Sequence, residues 1–221
     1  MNNSVRSVLA TAILTLLFAA VSVNALAQSF EGVLLVNATT ERGVMPMTYM
    51  LKGDNARMEF EGRPGMTAVM LMNGKENKSY MLMTQMKAYM ELPSGEKQGD
   101  SAKPQLKKTG KTQKLLGYNC EQFIVKSADQ ESEIWVTKEL GKFVMFRMGG
   151  MRQEQSSRDS WQESFAGSNW FPLLASTKKG EKELGKFEVT KIEKKQLEAS
   201  LFTIPEGYQK FDPAMMRRPK Q

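Results

Sequence analysis

Between Thr67 and Asn73 the chain reads Thr-Ala-Val-Met-Leu-Met-Asn. In an extended strand this sets Val69 and Leu71 on one side and Ala68, Met70 and Met72 on the other. A strand that is apolar on both faces needs cover on both. It points to a sheet curved around something rather than one lying half in water.

The flanking segments alternate with the strand period of two. Val44–Lys52 sets Met45, Met47, Tyr49 and Leu51 on one face. After a Gly53-Asp54-Asn55 hairpin turn, Ala56–Glu61 sets Met58 and Phe60 opposite Arg57, Glu59 and Glu61. Phe30–Thr39, Ser79–Met83 and Ala88–Leu92 are further strands in this half of the chain. Pro93–Lys108 is polar, rich in lysine and broken by Pro93, Gly95, Gly99 and Pro104, and so reads as a surface loop.

Strands resume at Thr109–Leu116, Cys120–Lys126 and Glu133–Thr137, with a turn at Gly117. Glu139–Gln153 is the best helical pattern, with Leu140, Phe143, Val144, Arg147, Met148 and Met151 at i, i+3, i+4 spacing. Arg158–Ala166 fits a short turn of helix, Phe171–Lys178 and Lys186–Glu193 a late hairpin, and Ala199–Phe211 a closing segment. About nine or ten mostly sequential antiparallel strands with one main helix define a mainly β (α+β) chain. The natural packing is an open, incomplete antiparallel β-barrel whose concave face is covered by a helix.

Methionine and histidine usage then constrains function. The chain has 17 methionines and no histidine, and eleven of the methionines fall between Met45 and Met90. Thioethers are soft and unbranched, and suit a surface that accepts more than one shape. Without histidine, the commonest general base and metal ligand is missing. Three readings of the methionines stay open: core packing, the lining of a cavity for an apolar ligand, and a soft-metal site. Copper(I) selects thioethers, and Met45-x-Met47, Met70-x-Met72 and Met81-x-Met83 each put two sulfurs on one strand face.

The first 27 residues read as an export signal. Arg6 precedes an apolar run from Val8 to Val21, and Ala25-Leu26-Ala27 sets the cut before Gln28. That run is 14 residues long, whereas a spanning helix needs about 20. The one cysteine, Cys120, is too late for a lipoprotein signal and reads as a small buried hydrophobe. The expected product is a periplasmic single domain over residues 28–212 with a basic tail over 213–221. Losing Arg6 lowers the formal charge from +7 to +6. Lysine and arginine concentrate at Lys103–Lys114, Lys178–Lys195 and Arg217–Lys220, which reads as a solvated basic surface or one attracted to acidic partners. No motif for nucleic acid appears.

Catalytic patterns are also missing. Gly110-Lys111-Thr112 resembles the end of a phosphate loop, but position 105 is Gln105 where that loop needs glycine. There is no Gly-x-Ser-x-Gly elbow, and a serine or cysteine nucleophile would lack a histidine base. Glu59/Glu61 and Glu131/Glu133 alternate along strands as solvated charge. The chain is therefore read as a non-enzyme with no cofactor.

Several segments resemble a bacterial exported family of unknown function. They are Thr109-Gly110-Lys111-Thr112 leading to Leu116-Gly117-Tyr118-Asn119-Cys120-Glu121-Gln122-Phe123, and Glu133–Gly141 with its Trp135-Val136-Thr137-Lys138 core. Val189-Thr190-Lys191-Ile192-Glu193 followed by Leu201-Phe202-x-Ile204-Pro205-x-Gly207-Tyr208 resembles that family's ending. The family is grouped with the periplasmic lipoprotein carriers, the LolA/LolB-like superfamily. The resemblance implies a half-open barrel, its concave face covered by helices, that receives acyl chains.

On this reading the ligand is a lipid, an acyl chain or a lipidated protein. Its wall is Met47, Tyr49, Met58, Phe60, Met70, Met72, Met81, Met83 and Met90. Phe143, Val144, Arg147 and Met148 face that wall from the helix. The rival is a protein-interaction module with a filled core, whose sheet edge or basic surface meets an envelope partner.

Overall fold

The computed structural model describes residues 30–63, 66–92, 104–127, 129–141, 143, 160–165 and 168–211. Twelve strands form a single open sheet. In chain order they are β1 (Glu31–Thr40), β2 (Gly43–Lys52), β3 (Asn55–Arg63), β4 (Met66–Asn73), β5 (Lys78–Met83), β6 (Ala88–Leu92), β7 (Gln105–Leu115), β8 (Tyr118–Ser127), β9 (Gln130–Thr137), β10 (Phe171–Lys179), β11 (Lys182–Lys194) and β12 (Gln209–Lys210). Among the described residues one α-helix, α1 (Ser160–Phe165), lies between β9 and β10, and Thr84–Met86 and Ala199–Phe202 are short 3₁₀ turns.

The spatial order is β12-β6-β5-β4-β3-β2-β1-β11-β10-β9-β8-β7. Two antiparallel meanders, β1–β6 and β7–β11, thus meet where the first strand pairs with the eleventh. Along that seam Leu34 faces Ile192 and Val36 faces Val189, with a bulge between Leu35 and Val36. Gly32 lies at the tightest point, since a Cβ there would stand 2.2 Å from the Glu193 carbonyl oxygen.

The residues of β4 explain why the chain carries a strand apolar on both sides. Met70 belongs to the main core, while Val69 and Leu71 belong to a second, smaller cluster with Leu82. The closing segment of the chain covers that second cluster, and Tyr80, Tyr89, Ile204 and Tyr208 pack against it. Polar anchors hold the segment in place. Lys52 Nζ donates to Glu31 Oε1 and to the Leu197 carbonyl, both at 2.7 Å, and the Leu197 N–H donates to the same Glu31 oxygen at 2.7 Å. Arg57 Nη1 donates to the Leu201 carbonyl at 2.9 Å. Finally β12 adds in parallel to β6, through Gln209 N–H to Lys87 O at 2.9 Å and Phe211 N–H to Tyr89 O at 2.7 Å.

Three expectations are corrected. Residues 105–108 are not loop but the start of β7, paired from Gln105 with Lys126 to Lys108 with Phe123. Their polarity is that of an edge strand, where lysines and a bulge (here between Lys108 and Thr112) discourage further pairing. The helix expected over Glu139–Gln153 does not begin where its pattern does. Lys138–Leu140 form a bend and turn, the Gly141 N–H donates to the Lys138 carbonyl at 3.3 Å, and Gly141 takes the left-handed φ of +75°. Leu140 and Phe143 enter the core from this irregular stretch, and residues 144–153 lie outside the described residues. Among the described residues the sheet has twelve strands rather than about nine or ten, and it ends at two edges, β7 and β12. The short helix expected within Arg158–Ala166 is present as α1. Among the described residues, no α-helix lies over the methionine-bearing strands, although the 3₁₀ turn Ala199–Phe202 packs on β3 and β4, and no helix is long and apolar enough to cross a membrane.

Two outcomes test this architecture. Leu71→Ala, which opens a void under the closing segment, is expected to lower stability by about 2–5 kcal/mol in urea denaturation. Glu31 is held below the ordinary carboxylate range by its hydrogen bond from Lys52 and then by the Leu197 N–H. A lowered folded-state pKa contributes stability that is complete above the ordinary carboxylate range and lost as the pH falls from there through the lowered folded-state value. Melting temperatures of Glu31→Gln should therefore lie below wild type at neutral pH, with the gap closing as carboxylates protonate.

Candidate functional site

The hydrogen-bond register lays the side chains of β1–β6 out in rows on one face. In the central row Leu34, Tyr49, Met58, Met70, Met81 and Met90 stand directly opposite one another, strand to strand. On one side of it runs Val36, Met47, Phe60, Ala68, Met83 and Ala88. On the other runs Gly32, Leu51, Ala56, Met72, Ser79 and Leu92. All nine wall residues expected from the alternation therefore share one face.

Burial grades along this face. Leu34 and Met70 are completely buried, and Tyr49 and Met58 nearly so. Met47, Phe60, Met72, Met81, Met83 and Met90 are half-buried. Burial pushes the Tyr49 phenol well above its ordinary pKa, so it stays neutral. The face carries an apolar surface with no ionised group among the nine.

The other half of the main core is built differently. Here Phe187, Ala175, Ile134 and Phe123 follow one another in register across β11, β10, β9 and β8. Trp161 and Phe165 come from α1, four residues apart and so on one side of the helix. Phe165 meets Phe123 edge-to-face at 5.6 Å between ring centroids, and Trp161 lies 5.7 Å from Phe187. Phe143 stacks on Trp161 at 6.3 Å and meets Phe171 at 5.6 Å. Of the four residues expected to face the wall, Phe143 thus joins this aromatic cluster. Val144, Arg147 and Met148 lie outside the described residues. Sequence reasoning passed over Trp161, Phe165 and Phe187, although the Trp-x-x-x-Phe spacing of the first two signals a helix face.

Two open grooves lie elsewhere. One, of about 360 Å³, touches the wall only at Met47 and Phe60 and is otherwise lined by residues such as Leu35, Pro46, Thr67 and Thr190. The second, of about 410 Å³, is lined mostly by polar residues and lies at the β7–β8 end, beside Trp170. Lys138 Nζ stands 4.4 Å from the centre of the Trp170 ring, and Glu139 Oε1 accepts from the Asn119 N–H at 2.9 Å. Cys120 borders this groove but is itself buried, and burial raises its thiol pKa. A buried thiol held protonated is a poor nucleophile, as the reading of Cys120 as a small hydrophobe expects.

These features define a mainly β, single-sheet domain with one methionine-rich face and one aromatic-filled half. The chain belongs to the family described as "Domain of unknown function (DUF4412)", whose model matches residues 30–208. No curated protein matches it. Among solved structures it is similar to PNGF-II in two crystal forms, C2 and P21, at 17% identity and TM-scores of 0.50 and 0.51. The match covers 85% of this chain and 32% of that one, so the chain spans about a third of the PNGF-II chain. At that identity the likeness is one of fold.

The wall gives a direct packing test. Met70→Ala removes a fully buried side chain and is expected to cost about 2–5 kcal/mol. Met81→Ala, at a half-buried position, should cost clearly less in the same denaturation series.

Proposed function

We propose that this protein is an exported periplasmic binding protein that carries a lipid, an acyl chain or the acyl group of a lipidated protein on its methionine face. It acts by binding rather than by catalysis. The observation that carries this reading is the placement of all nine wall residues on one face, with six of them half-buried. Alkyl chains bind through area removed from water, at about 0.8 kcal/mol for each buried CH₂. Flexible thioethers accommodate chains of differing length and branching without a fixed pocket shape.

The export signal read in residues 1–27 supports a periplasmic setting, and the resemblance to the LolA/LolB-like carriers supports acyl cargo. On this reading the aromatic cluster around Phe143, Trp161 and Phe165 is the permanent filling of one half. The methionine face is the half left for a guest.

The test is direct. Protein purified from its own periplasm should carry extractable lipid by native mass spectrometry, and delipidated protein should take up a fluorescent fatty acid. Phe60→Asp and Met81→Asp, which set a charge on the half-buried face, should weaken probe binding at least tenfold. Protein that is always empty and ignores such probes would sink the reading.

A further inference from the structure

The register of the methionines carries information that an apolar wall does not need. Met58, Met70, Met81 and Met90 face one another directly on β3, β4, β5 and β6, an unbroken row of four thioethers. Directly opposite residues on antiparallel strands hold their Cβ atoms about 4.5–5.5 Å apart. The flanking rows interrupt their methionines with alanine, serine, leucine and phenylalanine. Alkyl binding is indifferent to which apolar residue stands beside which, whereas a metal site requires sulfur beside sulfur.

We infer that Met70, Met81 and Met90, with Met58 as a neighbouring fourth sulfur, bind one soft monovalent cation, copper(I) or its redox-inert analogue silver(I). Thioethers are soft, neutral donors that favour copper(I) over magnesium, calcium or zinc. Among the described residues no group of three histidine, cysteine, aspartate or glutamate side chains is placed to hold a harder ion. The burial gradient supplies an entry path, because Met70 is completely enclosed while Met81 and Met90 are half-buried.

The arrangement also differs from the Met-x-Met pairs visible in the sequence. Those pairs lie along one strand, about 6.5–7 Å apart. The cross-strand row brings adjacent members closer and sets a third and fourth sulfur on the next strands. The site does not depend on the acyl-binding proposal, although it uses the same face. Binding is a reversible ligand exchange, with no change of oxidation state.

The experiment is a silver(I) titration of protein purified from cells expressing the full chain. It is read by native mass spectrometry and by the ¹³C-methyl signals of labelled methionine, with copper(I) competition against bicinchoninate run anaerobically. One ion per chain is expected, with the Met70, Met81 and Met90 methyl signals shifting and those of Met45 and Met86 staying fixed. Met81→Leu and Met90→Leu keep apolar volume but remove sulfur, and each should weaken binding at least tenfold while far-ultraviolet circular dichroism is unchanged. Stoichiometric binding lost in these variants supports the site whether or not fatty-acid probes bind. Failure to compete with bicinchoninate, or binding that survives both leucine substitutions, overturns it and leaves the acyl-binding reading untouched.

Discussion

The pairing of β1 with β11 is the contact on which the rest of the molecule depends. Apart from the long connection from β9 to β10 that carries α1, each meander is built from local hairpins, and this seam makes them one sheet. It joins residues from opposite ends of the chain, Gly32 to Lys194 and Thr40 to Gly185. Closing so long a loop costs chain entropy before any contact rewards it. The return is the burial of Leu34 and Val36 at the middle of the sheet. Gly32 is obligatory there, because any side chain would drive a Cβ into the Glu193 backbone. The Glu31 carboxylate next to it fastens the closing segment through Lys52 and Leu197, so one end of β1 organises both faces of the sheet.

Two covers of different kind follow from that geometry. The outer face of β4 and β5 is sealed by chain that comes after the last long strand, with Ile204 and Tyr208 over Leu71 and Leu82. The inner face of β8–β11 is sealed by aromatic side chains from α1 and from Phe143. These are large, stiff groups packed edge-to-face, an arrangement that fixes one geometry. The inner face of β2–β6 is furnished with methionine, which fixes little. The same sheet face thus changes from rigid to adaptable filling on crossing β1.

Much of this was legible in the chain itself. Period-two alternation located the strands from Phe30 to Leu92 to within a residue or two, and the nine residues it singled out share one face. The double-sided apolar run at Thr67–Asn73 demanded two covers, and two clusters flank β4. What stayed hidden was non-local. The lysines of residues 105–108 look like loop because an edge strand exposes both faces and carries little apolar signal. The Leu140 and Phe143 spacing fits a helix, yet both side chains reach the core from a turn that Gly141 closes. The cross-strand methionine row could not be read at all, since it exists only once four strands are in register.

That row is also where local preference and global structure disagree. Strands favour β-branched and aromatic residues, because these fit a pleated, half-buried surface. The far half of this core obeys the rule with Val189, Phe187, Ile134 and Phe123. The near half sets four unbranched thioethers side by side, giving up the side-chain order that valine or isoleucine would supply at no loss of apolarity. Departures of this kind, confined to one region of an otherwise consistent fold, are where function is expected to override stability. The two properties that valine and isoleucine lack, pliability and a soft donor atom, are those an apolar guest and a soft cation respectively require.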